Sequence, residues 1–211
     1  MSYAPRAELT AFVKTRQRTL SLIAGLSEDD MAQRPGSDAW SVGELADHLL
    51  RTEGLWRSEV EELIRLERSG RQPYLNRLLA DFPLPIVGRL PRPLLGLVAV
   101  PLTAFNTFLQ ASFFESFLRL RALPAPAPPA LVPRAGRSGE VLRRELDDGM
   151  RQTAAVFEDN DDLRFRRQLY QHPLIGIVSS VGLLRLITVH EQRHQDQLVA
   201  ILRKLGLRSG G

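Results

Sequence analysis

Cysteine is absent from the 211 residues of the chain, and several chemistries are excluded with it. Without thiols the chain forms no disulfide framework, no thiolate zinc ribbon, no iron–sulfur cluster and no cysteine nucleophile. Any transition-metal site must therefore be built from histidine and carboxylate side chains. The length is enough to bury a substantial core without covalent cross-links, and it predicts one domain over residues 1–211.

Lysine is nearly as scarce, since Lys14 and Lys204 are the only two lysines in the sequence. Arginine therefore sets the high isoelectric point of about 10.1. The 28 basic and 24 acidic residues leave a net charge of only +4, and the acidic residues are spread among the arginines. Nucleic-acid binding normally concentrates basic residues in one stripe. We therefore expect a solvated charged surface and no nucleic-acid partner.

An apolar leader is also missing from the first 25 residues. Five charged side chains interrupt this stretch: Arg6, Glu8, Lys14, Arg16 and Arg18. A secretory signal needs an uninterrupted apolar region, so the expected location is the cytoplasm.

Helical periodicity of the apolar residues marks four segments. They cover residues 5–26, 41–69, 138–158 and 173–206. Ser41, followed three residues later by Glu44, gives the capping-box pattern of a helix start. No stretch alternates polar and apolar residues as a strand does, so we predict an all-α fold. Four long amphipathic helices with one long middle connection are typical of a four-helix bundle.

The middle connection, residues 82–133, is rich in proline and apolar side chains. Residues 123–133 have the composition of a stiff polyproline-like connector, and residues 82–121 are predicted to form an apolar helical insertion at the bundle end or a dimer contact. The 22 residues 93–114 carry no charge and are long enough to cross a bilayer. Prolines, a glycine and polar side chains interrupt them, so we expect a buried insertion and no membrane association.

Three of the four histidines occupy inward-facing helical positions. His190 and His194 are four residues apart, which puts both imidazoles on one face of a helix. His48 lies on the apolar stripe of the second predicted helix, whereas His172 precedes a proline and is predicted to be a turn residue. Three neutral imidazoles in a core without thiols are typical of a divalent-metal site with open positions. Separate hydrogen-bonded core histidines are the alternative interpretation.

Residues 190–194 also read His-Glu-Gln-Arg-His, the HExxH pattern of zinc metallopeptidases, in which the glutamate is the general base. The third histidine or glutamate that such enzymes carry downstream is missing, so a metallohydrolase of this type is the less favoured hypothesis. Glu191 is then either a general base or a residue of the helix flank. Glu44 either accepts the free ring N–H of His48 or only completes the capping box.

Two segments resemble signatures of the DinB-like superfamily. The first is residues 40–49, Trp-Ser-Val-Gly-Glu-Leu-Ala-Asp-His-Leu, and the second joins His-Pro-Leu-Ile-Gly at 172–176 to residues 190–198. The resemblance covers most of the chain, and the apolar residues 82–121 depart from it. It implies a four-helix bundle, commonly a homodimer, with a divalent metal, often zinc or nickel, held by His48, His190 and His194.

Characterised members of the superfamily include S-transferases that use bacillithiol or mycothiol, and a mycothiol-dependent isomerase. The resemblance therefore implies a metal-dependent thiol S-transferase acting on a small-molecule substrate, with a low-molecular-weight thiol as cosubstrate. A thiol bound to the metal has a lowered pKa and can attack an electrophile as the thiolate. The alternative is a non-catalytic metal-binding or stress-response bundle.

Overall fold

The computed structural model describes residues 4–77, 131–172 and 176–208. These ranges contain five α-helices and three short strands. In chain order they are α1 (Arg6–Ile23), α2 (Glu28–Ala32), α3 (Val42–Arg68), β1 (Tyr74–Asn76), α4 (Gly139–Glu158), β2 (Leu169–His172), β3 (Gly176–Ser179) and α5 (Ser180–Leu205). The four long helices α1, α3, α4 and α5 pack together, so the prediction of a four-helix bundle is confirmed.

The ends of α3 and α5 follow from local sequence. The Ser41 hydroxyl accepts a hydrogen bond from the Glu44 backbone N–H at 3.1 Å, and the Ser41 backbone N–H donates to the Glu44 carboxylate at 2.8 Å. This reciprocal pair is the capping box that the sequence predicts. Helix α5 ends at Leu205, and the residue that follows it is Gly206. The φ of Gly206 is 69°, a left-handed conformation that glycine adopts without strain.

The sequence prediction missed the short helix α2 and a small sheet. Its strand order is β1-β2-β3, with β1 parallel to β2 and β2 antiparallel to β3. The mostly helical fold class is confirmed, and only the expected absence of strands is wrong. Strands of three or four residues are too short to display an alternating pattern.

The same sheet moves the start of the last helix. Residues 176–179 form β3, and α5 begins at Ser180 with Ser179 as its N-cap, which accepts from the Gly182 N–H at 3.2 Å. A helix start near residue 173 is therefore wrong, and Pro173 itself lies outside the described residues. His172 is the last residue of β2 and is buried, so it is a strand residue and not the predicted turn residue.

A layer of buried polar side chains crosses the middle of the bundle. It consists of Arg16 and Thr19 of α1, Glu53 of α3, Thr153 of α4, and Glu191 and Gln195 of α5. We call these six residues the polar layer. The apolar core has two separate clusters, one including Phe12, Val60 and Ile187 and the other including Ile23, Leu49 and Leu198. On each of α1, α3 and α5 the polar layer lies in sequence between members of the two clusters.

The predicted insertion, residues 82–121, and the connector up to residue 130 lie outside the described residues, and so does the charge-free run 93–114. Within the ranges that the structure describes, no helix combines the length and apolar character needed to cross a membrane.

Candidate metal centre

Three histidines from two helices meet beside the polar layer. The Nε2 atom of His190 lies 3.4 Å from Nε2 of His48 and 3.1 Å from Nε2 of His194. One potential ligand atom from each ring lies within 4.8 Å of the others. The helical spacing brings His190 and His194 together on α5, and the packing of α3 against α5 adds His48. The structure thus brings together the three residues that the sequence singled out.

The outer ring nitrogens of two of these histidines have defined partners. Nδ1 of His48 lies 2.8 Å from the Leu131 carbonyl oxygen, and Nδ1 of His194 lies 2.9 Å from the Gln197 side-chain oxygen. Both partners are acceptors, so each Nδ1 carries the proton and each Nε2 presents a lone pair. These two Nε2 atoms are the ones that lie within 3.4 Å of His190 Nε2. An imidazole with its outer N–H donated to an oxygen acceptor is the arrangement typical of metal-bound histidines.

The surroundings keep the three imidazoles neutral. Burial lowers the pKa of His48, and it lowers the pKa of His190 well below its ordinary value. Burial, with a contribution from neighbouring His48, lowers the pKa of His194 to about 4. Because a metal ligand must be deprotonated, the rings are in the form required for coordination at neutral pH.

The separations of His190 Nε2 from the other two Nε2 atoms match those between ligands of a single cation. Two nitrogen ligands at bond lengths near 2.0–2.1 Å and tetrahedral angles lie about 3.3–3.4 Å apart, and the observed separations are 3.4 and 3.1 Å. The cluster holds three histidines and no fourth His, Cys, Asp or Glu among the described residues. Three protein ligands leave positions for water or substrate, as catalytic sites do and closed structural sites do not.

Glu44 does not contact His48 through a hydrogen bond in this structure. Its carboxylate accepts from the Ser41 backbone and from the Arg34 guanidinium, and the outer nitrogen of His48 faces Leu131 instead. Of the two interpretations of Glu44, the structure supports the capping box.

Glu191 belongs to the polar layer, where it faces α1. Its carboxylate accepts hydrogen bonds from Arg16 Nε at 2.8 Å, Arg16 Nη2 at 3.0 Å and Thr19 Oγ1 at 2.6 Å. The side chain is only 1% exposed, so it lies in the interior and not on a solvated helix flank. Both of its oxygens are thus occupied by α1.

Sequence reasoning missed the buried ion pairs of the polar layer. Arg16 is fully buried and forms an ion pair with Glu53 at 2.6 Å as well as with Glu191. A signal for it exists, because Arg16 stands at a helical step of four from Phe12, within an otherwise apolar stripe. Glu53 likewise follows Leu49 by four residues. A polar residue at such a position needs a buried partner.

The structure also places three further residues relative to the cluster. Thr52, one helical turn after His48, is 3% exposed, and its hydroxyl has no hydrogen-bond partner among the described residues. His172 lies apart from the three histidines and packs against Trp56 and Tyr170, with ring centroids 5.9 and 6.0 Å away. The tryptophan of the first sequence signature, Trp40, packs against His48 with ring centroids 4.9 Å apart.

Comparisons with known proteins agree with this fold. The family description of the DinB superfamily matches residues 11–198. Among curated proteins, no sequence matches the chain. Among solved structures, the chain is similar to YfiT from Bacillus subtilis, described as a probable metal-dependent hydrolase with an unusual four-helix bundle topology. The TM-score is 0.52 at 12% sequence identity, with 96% of this chain and 87% of that chain covered.

The likeness to YfiT, at 12% sequence identity, establishes the fold and not the reaction. The family match spans most of the chain, including all three clustered histidines, and on that ground the chain belongs to the DinB superfamily.

Proposed function

We propose that the chain is a metal-dependent enzyme of the thiol S-transferase type, in which His48, His190 and His194 hold a divalent cation. The observation that carries the proposal is the meeting of three Nε2 atoms, two of them with protons fixed on the outer nitrogen. Imidazole ligands suit zinc and nickel, and these are the metals we expect. The proposed cosubstrate is a low-molecular-weight thiol.

The division of roles follows from what the chain has and lacks. When bound, the cation supplies the positive charge that lowers the pKa of a coordinated thiol or water. The chain has no cysteine to act as its own nucleophile, so an external thiol would complete the reaction. Arg51 and Arg193 help to lower the pKa of the clustered histidines by their charge. The same positive charge favours an anionic thiol or acceptor.

Hydrolysis by a metal-bound water is the second candidate function. The description of YfiT as a probable metal-dependent hydrolase and the HExxH spacing of residues 190–194 favour it. The contacts of Glu191 count against the metallopeptidase form of this mechanism, because Arg16 and Thr19 occupy the carboxylate that would have to accept the proton of the water. Hydrolysis in this protein would therefore use another base.

The test compares reactions of the purified protein after its metal content has been measured. We expect turnover of a chlorodinitrobenzene with small thiols, and we expect His190→Ala to abolish it. His172→Gln is the matched control, since it also removes a buried imidazole but lies outside the cluster. Cleavage of a nitrophenyl ester without any thiol dependence would favour the hydrolase. Metal binding with neither activity would favour the non-catalytic bundle.

Glu191→Gln separates the transferase from the metallopeptidase form of hydrolysis, in which Glu191 would be the base. The substitution keeps the shape of the side chain and removes its capacity as a base, so a thiol transferase should keep its turnover in the fraction of protein that is folded. A loss of more than about 100-fold in turnover, the size typical of removing a general base, with metal content unchanged, would assign the role of base to Glu191 and contradict the proposed transferase.

A further inference from the structure

Asp47 directly precedes His48 in the sequence, and its carboxylate is completely buried. It accepts from the backbone N–H of Arg134 at 2.8 Å, from the Arg134 guanidinium at 3.0 Å and from the Arg137 guanidinium at 2.8 Å. All three donors belong to residues 131–137, the segment that precedes α4. Asp47 thus attaches this segment to α3.

The attached segment also contains the outer partner of His48. The Leu131 carbonyl oxygen, 2.8 Å from His48 Nδ1, lies three residues before Arg134 in the chain. Pro133, whose ring fixes its φ angle, stands between the two anchor points. A displacement at Arg134 is therefore transmitted to Leu131 over a short and stiff connection.

The attachment extends to a third element of the bundle. The second terminal nitrogen of the Arg137 guanidinium donates to both oxygens of Glu145 on α4, each at 2.8 Å. The segment is consequently held from α3 through Asp47 and from α4 through Glu145. A buried carboxylate is costly unless it is fully paired. Among the described residues, the hydrogen-bond donors to Asp47 all come from the segment that contains the His48 partner Leu131.

We propose that Asp47 is a positioning residue for His48. By holding residues 131–137, it keeps the Leu131 carbonyl on His48 Nδ1, and so keeps the Nε2 lone pair directed at His190. Only the expected change in metal affinity rests on the proposed function, in which His48 is a metal ligand. The effect on the proton of His48 exists in the metal-free protein as well.

The first test is nitrogen NMR of the imidazoles in metal-free protein near pH 7. In Asp47→Asn one carboxylate oxygen becomes an NH₂ group that faces donors, so the segment should detach on that side. We expect His48 to change from a single Nδ1–H tautomer to a mixture, while His194, whose partner Gln197 is on its own helix, keeps its resonances. Asp162→Asn is the matched control, because it makes the same chemical change in the exposed pair with Arg68.

The second test is a competition titration with Zn²⁺ alone. Loss of an outer partner of a metal-bound histidine weakens metal binding by about 10–100-fold, and we expect that loss in Asp47→Asn and none in Asp162→Asn. Pro133→Gly makes the chain between Leu131 and Arg134 more flexible and leaves the Asp47 carboxylate unchanged. It should therefore also give a mixture of His48 tautomers and weaker Zn²⁺ binding, and it replaces Asp47→Asn if that variant does not fold.

Unchanged His48 resonances together with a Zn²⁺ affinity within about twofold of the wild type, expected only if no outer-partner loss occurs, would overturn the proposal. If the wild-type protein binds no metal, the proposed function fails, and the tautomer comparison still decides the role of Asp47.

Discussion

The two helices that form the metal centre contribute to it in different ways. On α5, His190 and His194 lie one turn apart, and the outer partner of His194 is Gln197, three residues further along the same helix. On α3, His48 has its outer partner 83 residues away at Leu131. The α5 half of the site is local, whereas the α3 half depends on tertiary contacts.

The two halves of the site are therefore determined by different things, one by helix geometry and the other by tertiary packing. Helix geometry alone places imidazoles at i and i+4 on one face, so α5 carries a metal-chelating pair whenever it is helical. The third ligand requires that α3 packs at the right height against α5 and that residues 131–137 reach His48. Assembly of the complete site is therefore coupled to completion of the fold.

Removal of a single ligand histidine should have the largest effect on Zn²⁺ affinity. His190 lies between the other two histidines, so His190→Ala should weaken Zn²⁺ binding by about 1,000-fold or more, in line with several kcal/mol per ligand in zinc sites. His48→Ala leaves the α5 pair intact and should cost about tenfold less than that. Competition titration measures both. Equal losses in the two variants would contradict the idea of a preformed pair on α5.

Arg16→Met should break the connection between the two halves, because Arg16 pairs with Glu53 of α3 and Glu191 of α5. The substitution leaves buried carboxylates without their main partner, and such losses cost about 3–5 kcal/mol. Urea unfolding of the metal-free protein measures the effect.

Arg68→Met is the control for Arg16→Met. It removes an exposed ion pair with Asp162, and exposed pairs contribute about 0–1 kcal/mol. A similar small loss for Arg16→Met would mean that the polar layer does not couple the helices.

Acidification should destabilise the metal-free protein in a way that extends beyond the metal centre. Burial lowers the pKa of His172 to about 4 from an ordinary value of 6.5. Between these values the unfolded chain binds more protons, so stability is complete above pH 6.5 and falls as the pH drops toward 4. At pH 5 the loss from this residue is roughly 2 kcal/mol. His172→Gln should flatten the profile by that amount in urea unfolding at several pH values, and an unchanged profile would contradict the assignment.

Gln197→Ala should have the smallest effect on Zn²⁺ affinity. It tests the α5 half of the site, in which the outer partner is on the same helix. Gln197 is exposed, so water can replace its oxygen on His194 Nδ1. We expect a loss of Zn²⁺ affinity of about threefold or less, below the range for well-positioned outer partners. Titration alongside Asp47→Asn tests the order directly. A larger loss in Gln197→Ala would reverse the assignment of the local and the tertiary half.

Much of the fold could be predicted from the sequence because its signals are local. The capping residues Ser41 and Glu44 and the apolar stripes act within one helical turn, and they gave the long helices to within a few residues, apart from the start of α5. That start was misjudged because β3 is short and is stabilised by pairing with β2, as in the contact of Tyr170 with Val178. The spacing of apolar residues along one segment does not indicate which other strand that segment pairs with.

The roles of the acidic residues could not be predicted in the same way. Glu191 stands inside an HExxH pattern, yet its partner Arg16 lies 175 residues away in the chain. Glu44 is four residues from His48, yet its carboxylate serves the helix start and Arg34. For each carboxylate several partners are compatible with the spacing, and the choice among them depends on which helix packs alongside.

The sequence by itself determined that the chain has no thiol chemistry of its own, that its long segments are amphipathic helices, and that two histidines share one face of the last of them. These properties depend on residue type and on the fixed geometry of a helix. Only the tertiary structure decided that His48 completes the cluster, that Leu131 orients it, and that Glu191 is held by Arg16. Those contacts join residues far apart in the chain, and their energies arise only when packing removes water from around them.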